Sequence, residues 1–162
     1  ETLRTLGPVV SPFNAFMLLQ GLETLPIRME RHCKNAIGVA EFLLAHPAVS
    51  WVNYAGLPGN PYQAQVDKYL PNGAGSIMSF GIKGGSEAGV KFINNAEFMS
   101  HLANVGDAKT LIIHPASTTH RQLSEEQQLA GGITSDMIRI SVGLETLEDI
   151  LWDIDQALAI SQ

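Results

Sequence analysis

Met137-Ile138-Arg139-Ile140-Ser141-Val142 is the stretch on which the reading of the chain turns. Alternation along an extended strand sends Ile138, Ile140 and Val142 to one side and Met137, Arg139 and Ser141 to the other. The first side is a core face. The second carries a guanidinium in the middle of an apolar run. Two readings of Arg139 stand open at this point. It is either an arginine on a solvated sheet face, alone or paired with a neighbouring acid, or a rigid fork of donors suited to a carboxylate or phosphate.

Working outward, Thr146-Leu147-Glu148-Asp149 is close to a capping box and opens a final helix. Leu147, Ile150, Leu151, Ile154 and Leu158 form its apolar stripe. Upstream, Thr110 to Ile113 and His101 to Val105 read as strands. Gly84-Gly85-Ser86 turns into a helix that carries Val90, Phe92 and Ile93. Ser76 to Lys83 is a strand with Met78, Phe80 and Ile82 on one face. Val49 to Tyr54 is another strand, followed by a loop rich in Gly and Pro from Gly56 to Pro61 and a short helix around Ala64 to Leu70.

Near the start, Ser11-Pro12 opens a helix in which Ala15, Phe16, Leu18, Leu19, Leu22 and Leu25 follow helical spacing and are expected to pack inward. Pro26 predicts a kink or break, and a second helix runs from about Arg28 to Ala45, where His46-Pro47 stops it. The sum is an α+β domain: a small, mostly antiparallel sheet covered by helices on one face. The other face is left for solvent or another domain.

Composition narrows the function classes. The 162 residues suit one domain, and 45% hydrophobic with 16% charged is an ordinary globular balance. With a net charge of −6 and no basic run, nucleic-acid binding is set aside. Cys33 is the only cysteine, so an intrachain disulfide is excluded and a reducing cytoplasm fits. The longest apolar stretches fall short of a membrane span, and no segment reads as a signal peptide. The chain begins with Glu1 rather than Met, which suits a fragment or a processed product.

Other clusters of reactive side chains carry less. His114 and His120 have the spacing of neither a helical pair nor a zinc loop, and no cysteine completes a ligand set, so no metal is expected. Ser117, His120 and Asp107 could be assembled into a hydrolase triad on paper, but there is no nucleophile elbow, and such residues usually cap turns. The glycine-rich stretch Pro71 to Ser76 precedes a strand and not a helix, which makes it a turn and not a phosphate cradle.

Four blocks together resemble one family. Ser11 to His32 (SPFNAFMLLQGLETLPIRMERH), Lys68 to Gly85 (KYLPNGAGSIMSFGIKGG), Asn104 to His120 (NVGDAKTLIIHPASTTH) and Ile138 to Glu145 (IRISVGLE) are similar to the C-terminal domain of the cystathionine synthase and lyase family of pyridoxal-phosphate enzymes. The resemblance runs in order from Ser11 onward. Where most of that family has Ser-Leu-Gly, this chain has Asn104-Val105-Gly106, a form that resembles the O-acetylhomoserine sulfhydrylase branch. Such enzymes replace the acetate of O-acetylhomoserine with sulfide or a thiol, giving homocysteine or methionine.

The resemblance implies a fold-type I C-terminal domain over residues 11–162, with residues 1–10 leading in from an N-terminal cofactor domain. It matches Arg139 to the arginine that grips the substrate α-carboxylate, Asn104 to a position that helps orient it, and Thr119 to a threonine near the same group. It implies pyridoxal phosphate as cofactor, an amino-acid substrate, and a homo-oligomer, by family a tetramer, in the cytoplasm. None of Lys34, Lys68, Lys83, Lys91 or Lys109 sits in the Ser-x-Thr-Lys-like context of the family's Schiff-base lysine. The expectation is therefore a carboxylate clamp with no catalytic or cofactor-binding residue of its own, inert when alone. A cystathionine γ-synthase, γ-lyase or methionine γ-lyase is the alternative within the family. A non-catalytic ligand-binding or dimerisation module is the alternative outside it.

Overall fold

The computed structural model describes residues 2–162. In chain order the elements are α1 (Thr2–Leu6), α2 (Pro12–Glu23), α3 (Leu25–Ala45), β1 (Val49–Asn53), α4 (Gln63–Tyr69), β2 (Ile77–Ile82) and α5 (Gly85–Asn95). There follow β3 (Ser100–His101), β4 (Leu111–Ile113), a 3-10 turn (Pro115–Ser117), α6 (Glu125–Ala130), β5 (Met137–Ser141) and α7 (Leu147–Ser161).

The five strands form one sheet in the order β1-β2-β5-β4-β3, antiparallel throughout except for the β3–β4 pair at one edge. The mostly antiparallel α+β architecture read from the sequence is the one observed. β5 is the central strand, and alternation does what its sequence requires: Ile138, Ile140 and Val142 are fully buried. They meet Met78, Phe80 and Ile82 of β2 and the apolar sides of α3, α5 and α7 in one core. Phe80 and Phe92 meet edge to face, with ring centroids 5.8 Å apart, which adds about 1 kcal/mol to what their burial contributes. Gly81 has no space for a side chain, because Trp51 of β1 crosses over it to donate from Nε1 to Asp136 Oδ2 at 3.0 Å.

Ser11 caps α2 as its sequence predicts, accepting from the Asn14 N–H at 3.2 Å. The inward packing expected of α2 does not occur. Phe16, Leu18, Leu19, Leu22 and Leu25 are exposed and Ala15 is only half-buried. The reason is geometric. With Phe13 and Met17 included, the apolar residues lie all round the helix, so no single face can bury them against α3.

The break expected at Pro26 comes two residues earlier. Thr24 closes α2 and caps α3, and Pro26 sits in the first turn of α3, where its missing N–H costs nothing. The strand expected from His101 to Val105 is only Ser100–His101, since the chain leaves the sheet edge and turns at Gly106, whose φ is +70°. Thr146 precedes α7 without a side-chain cap. Its carbonyl instead takes the N–H groups of Asp149 and Ile150. Among the described residues, no helix is long and apolar enough to cross a membrane.

Candidate functional site

Arg139 stands on the face of β5 opposite the core, half-buried. The register sets Ser79 of β2 on one side of it and Ile113 of β4 on the other, with Asn53 of β1 beyond Ser79. Asn53, Ala55, Ile77, Ser79, Met137 and Arg139 line an open depression of about 340 Å³. Among the described residues the ion pairs are His46–Asp155 and Lys91–Glu87, so no protein carboxylate holds Arg139. Its one hydrogen bond runs from Nη2 to the main-chain carbonyl of Asn104 at 3.3 Å. Most of its donor fork is left without a protein partner.

The structure thus brings two of the three sequence-selected residues together, through the backbone of the second. Asn104's own side chain looks along its loop: Oδ1 accepts from the Val105 N–H at 2.9 Å, and Nδ2 faces Asp107 at 3.4 Å. Thr119 is not joined to either. It is exposed, and its hydroxyl pairs with His120 Nδ1 at 2.8 Å.

Side chains far away in sequence hold the end of β5 and the loop beside it. His32 of α3 donates from Nδ1 to the Val142 carbonyl at 2.7 Å, which leaves its buried Nε2 without a partner. Asn35 gives both amide hydrogens to carbonyls, those of Gly143 and Glu145, at 3.0 and 2.9 Å. A side chain at Gly143 would overlap the Ala108 carbonyl and the Glu145 carboxylate, so the Val142-Gly143-Leu144 turn packs directly on the loop. Asn35, His32 and Glu145 escaped the sequence reading. Only the block IRISVGLE hinted that this turn is special.

The polar run after β4 is structural. His114 is buried, with Nε2 donating to the Ser135 carbonyl and Nδ1 accepting from the Ser117 hydroxyl, both at 2.8 Å. Ser117 therefore serves His114 and not His120, while Asp107 accepts from the Lys109 N–H at 3.0 Å. The triad is not assembled. Among the described residues no cluster of His, Cys, Asp or Glu could hold a metal ion.

Fold and site together define an α+β domain with one helix-covered face and one open face bearing an unpaired guanidinium. The chain matches the model of the Cys/Met metabolism PLP-dependent enzymes over residues 1–159 and belongs to that family. It is 55% identical over 159 residues to an O-acetyl-L-homoserine sulfhydrylase of Leptospira meyeri, covering 98% of this chain and 36% of that one. It is 50% identical over 161 residues to a homocysteine synthase of Schizosaccharomyces pombe, covering 99% and 38%.

A Campylobacter jejuni crystal structure, described as an O-acetylhomoserine (thiol)-lyase with N'-pyridoxyl-lysine-5'-monophosphate, superposes with a TM-score of 0.87 at 46% identity. The match covers 97% of this chain and 37% of that one. The chain thus spans under two-fifths of the length of the relatives it matches.

The residues present do not fit the cofactor. All five lysines are exposed. Lys83 donates to the Pro47 carbonyl at 2.6 Å, Lys91 pairs with Glu87 at 3.1 Å, and Lys68 lies over the Tyr69 ring. None is an amine desolvated in a pocket, which is what Schiff-base chemistry needs. The glycine-rich turn before β2 offers no helix N-terminus to a phosphate.

Proposed function

We propose that this chain is the substrate-carboxylate-binding part of an O-acetylhomoserine sulfhydrylase, an enzyme that exchanges the acetate of its substrate for sulfide or a thiol. Residues 1–10 lead in from an N-terminal cofactor domain, and residues 11–162 form the C-terminal domain. Arg139 takes the α-carboxylate in a two-pronged, charge-assisted contact. The Asn104 carbonyl aims the guanidinium, and Thr119 is kept as a third carboxylate-side residue on the family resemblance alone, since its hydroxyl here meets His120. The observation that carries this reading is Arg139 itself, held by one main-chain carbonyl and by no protein carboxylate.

On this reading the Schiff-base lysine lies outside the chain, which is inert when alone and works within a cytoplasmic homo-oligomer. Mixed with pyridoxal phosphate and dialysed, the chain is expected to keep no cofactor absorbance. A stoichiometric band lost on mutation of one lysine would place the reaction centre here after all.

The deciding experiment is Arg139→Ala in the full-length parent protein. It leaves the substrate carboxylate unpaired in a partly desolvated site, at a cost on the order of 2–5 kcal/mol in kcat/KM for O-acetylhomoserine. Arg139→Lys recovers only part, because a point charge cannot reproduce the fork. An unchanged kcat/KM in the alanine variant would rule the reading out.

A further inference from the structure

The loop from Leu102 to Lys109 carries Asn104 and re-enters the sheet at Thr110. That re-entry is fastened by one carboxylate. Thr110, wholly buried, donates its N–H to Glu145 Oε1 at 2.6 Å and its hydroxyl to Glu145 Oε2 at 2.8 Å. The same hydroxyl oxygen accepts the Gly143 N–H at 2.9 Å. Beside it, the Leu144 N–H reaches the Ala108 carbonyl, also at 2.9 Å. Further along the loop, Asp107 faces Asn104, whose carbonyl accepts from Arg139.

These contacts close a ring. It leaves Arg139 along β5, passes through the turn to Glu145, crosses to Thr110, and returns through the loop to the guanidinium. The Glu145–Thr110 contacts are the shortest in the ring, and the Gly143 N–H that meets the same hydroxyl is buried. Where Thr110 sits sets where the loop ends, and so where the Asn104 carbonyl stands against Arg139.

We propose that Thr110 and Glu145 are positioning residues for the Arg139 site, acting on substrate through the Asn104 loop; the proposal rests on the carboxylate-binding reading above. Thr110→Val keeps the shape and removes the hydroxyl. Glu145 Oε2 then loses a donor, and the Gly143 N–H, closed off from water, loses its acceptor. The turn and the loop can slide relative to each other, and the guanidinium loses its aim. Thr110→Ser restores the hydroxyl.

The test uses the full-length parent protein and four variants: Thr110→Val, Thr110→Ser, Glu145→Gln and Arg139→Ala. Thr110→Val is expected to raise KM for O-acetylhomoserine about tenfold with kcat changed less than about threefold. Thr110→Ser is expected to return KM to near the parent value. Glu145→Gln, which puts amide hydrogens against a donor, should fall between them and serves if Thr110→Val does not fold.

A carboxylate-bearing inhibitor should weaken in parallel with KM, and its decarboxylated amine should not. Thr110→Val added to Arg139→Ala should cost little more, because the pair acts through the guanidinium. If Thr110→Val and Glu145→Gln lower thermal stability but leave KM unchanged while Arg139→Ala raises it, the positioning role is wrong and the carboxylate reading stands. If Arg139→Ala also leaves KM unchanged, the underlying reading fails.

Discussion

Arg139 reaches Asn104 through the main chain: its Nη2 donates to the Asn104 carbonyl, while the Asn104 side chain is turned along its own loop. Asn104→Ala or Asn104→Ser should therefore keep the contact that aims the guanidinium. In the full-length protein, either change is expected to cost about 1 kcal/mol or less in kcat/KM, well below the loss from Arg139→Ala. Steady-state kinetics of the three variants decides it. Equal losses at Asn104 and Arg139 would mean that the Asn104 side chain touches substrate itself.

Asp153 predicts a strong effect on stability far from the site. It is fully buried on α7, and its carboxylate accepts from the N–H groups of Glu97, Phe98 and Met99 and from the Gln156 amide, all at 2.8 to 2.9 Å. Asp153→Ala strands three main-chain donors where the chain enters β3. Urea denaturation should show a loss of about 2–4 kcal/mol. Asp153→Asn should lose less, since one acceptor oxygen remains.

Tyr54 makes stability depend on alkaline pH. Burial, and then the electrostatic effect of nearby Cys33, push its phenol from 10.0 up to about 12. The neutral form, which donates to the Gly75 carbonyl at 2.8 Å, is the one the fold favours. A group raised on folding contributes in full below its unfolded value, so this stabilisation is complete below pH 10 and lost as pH rises toward 12. Two units correspond to about 2–3 kcal/mol at most. Tyr54→Phe should flatten the stability profile over that interval, and Cys33→Ala should bring the phenolate titration down.

The exposed residues of α2 predict self-association. Phe13, Phe16, Met17, Leu18, Leu19 and Leu22 are each more than half exposed on one short helix, an apolar patch beyond what monomeric proteins usually show. Sedimentation of the chain at rising concentration should reveal association, and glutamate at Phe16 and Leu19 should reduce it. A chain that stays monomeric at high concentration would count against a covered role for α2.

What the sequence made legible was what local rules govern. Period-two alternation placed Ile138 and Arg139 on opposite faces because it depends only on neighbours. Ser11-Pro12 announced α2 because a cap is a contact three residues long. The same rule was present and unused in Ser124-Glu125-Glu126-Gln127, which forms a complete capping box at the start of α6.

Contacts set by packing did not show. His32 meets Val142 across 110 residues, and Asp153 meets Met99 across 54. The resemblance points to the side chain of Asn104, whereas its carbonyl makes the contact with Arg139, and a carbonyl's direction is fixed by the fold of its loop. The helical spacing of α2 correctly predicted a helix but could not say what, if anything, covers it.

The alternation along β5 also separates two kinds of mutational freedom. Ser79, Asn53 and Met137 border Arg139 on the open face, and changing any of them opens no void among Ile138, Ile140 and Phe80 beneath. A lineage can retune the surroundings of the guanidinium one residue at a time, each step staying within the few kcal/mol by which a domain of this size remains folded. Ile138 has no such latitude, since removing its buried atoms costs about 2–5 kcal/mol at once. The sheet acts as a partition between residues that selection can explore and residues that it must keep.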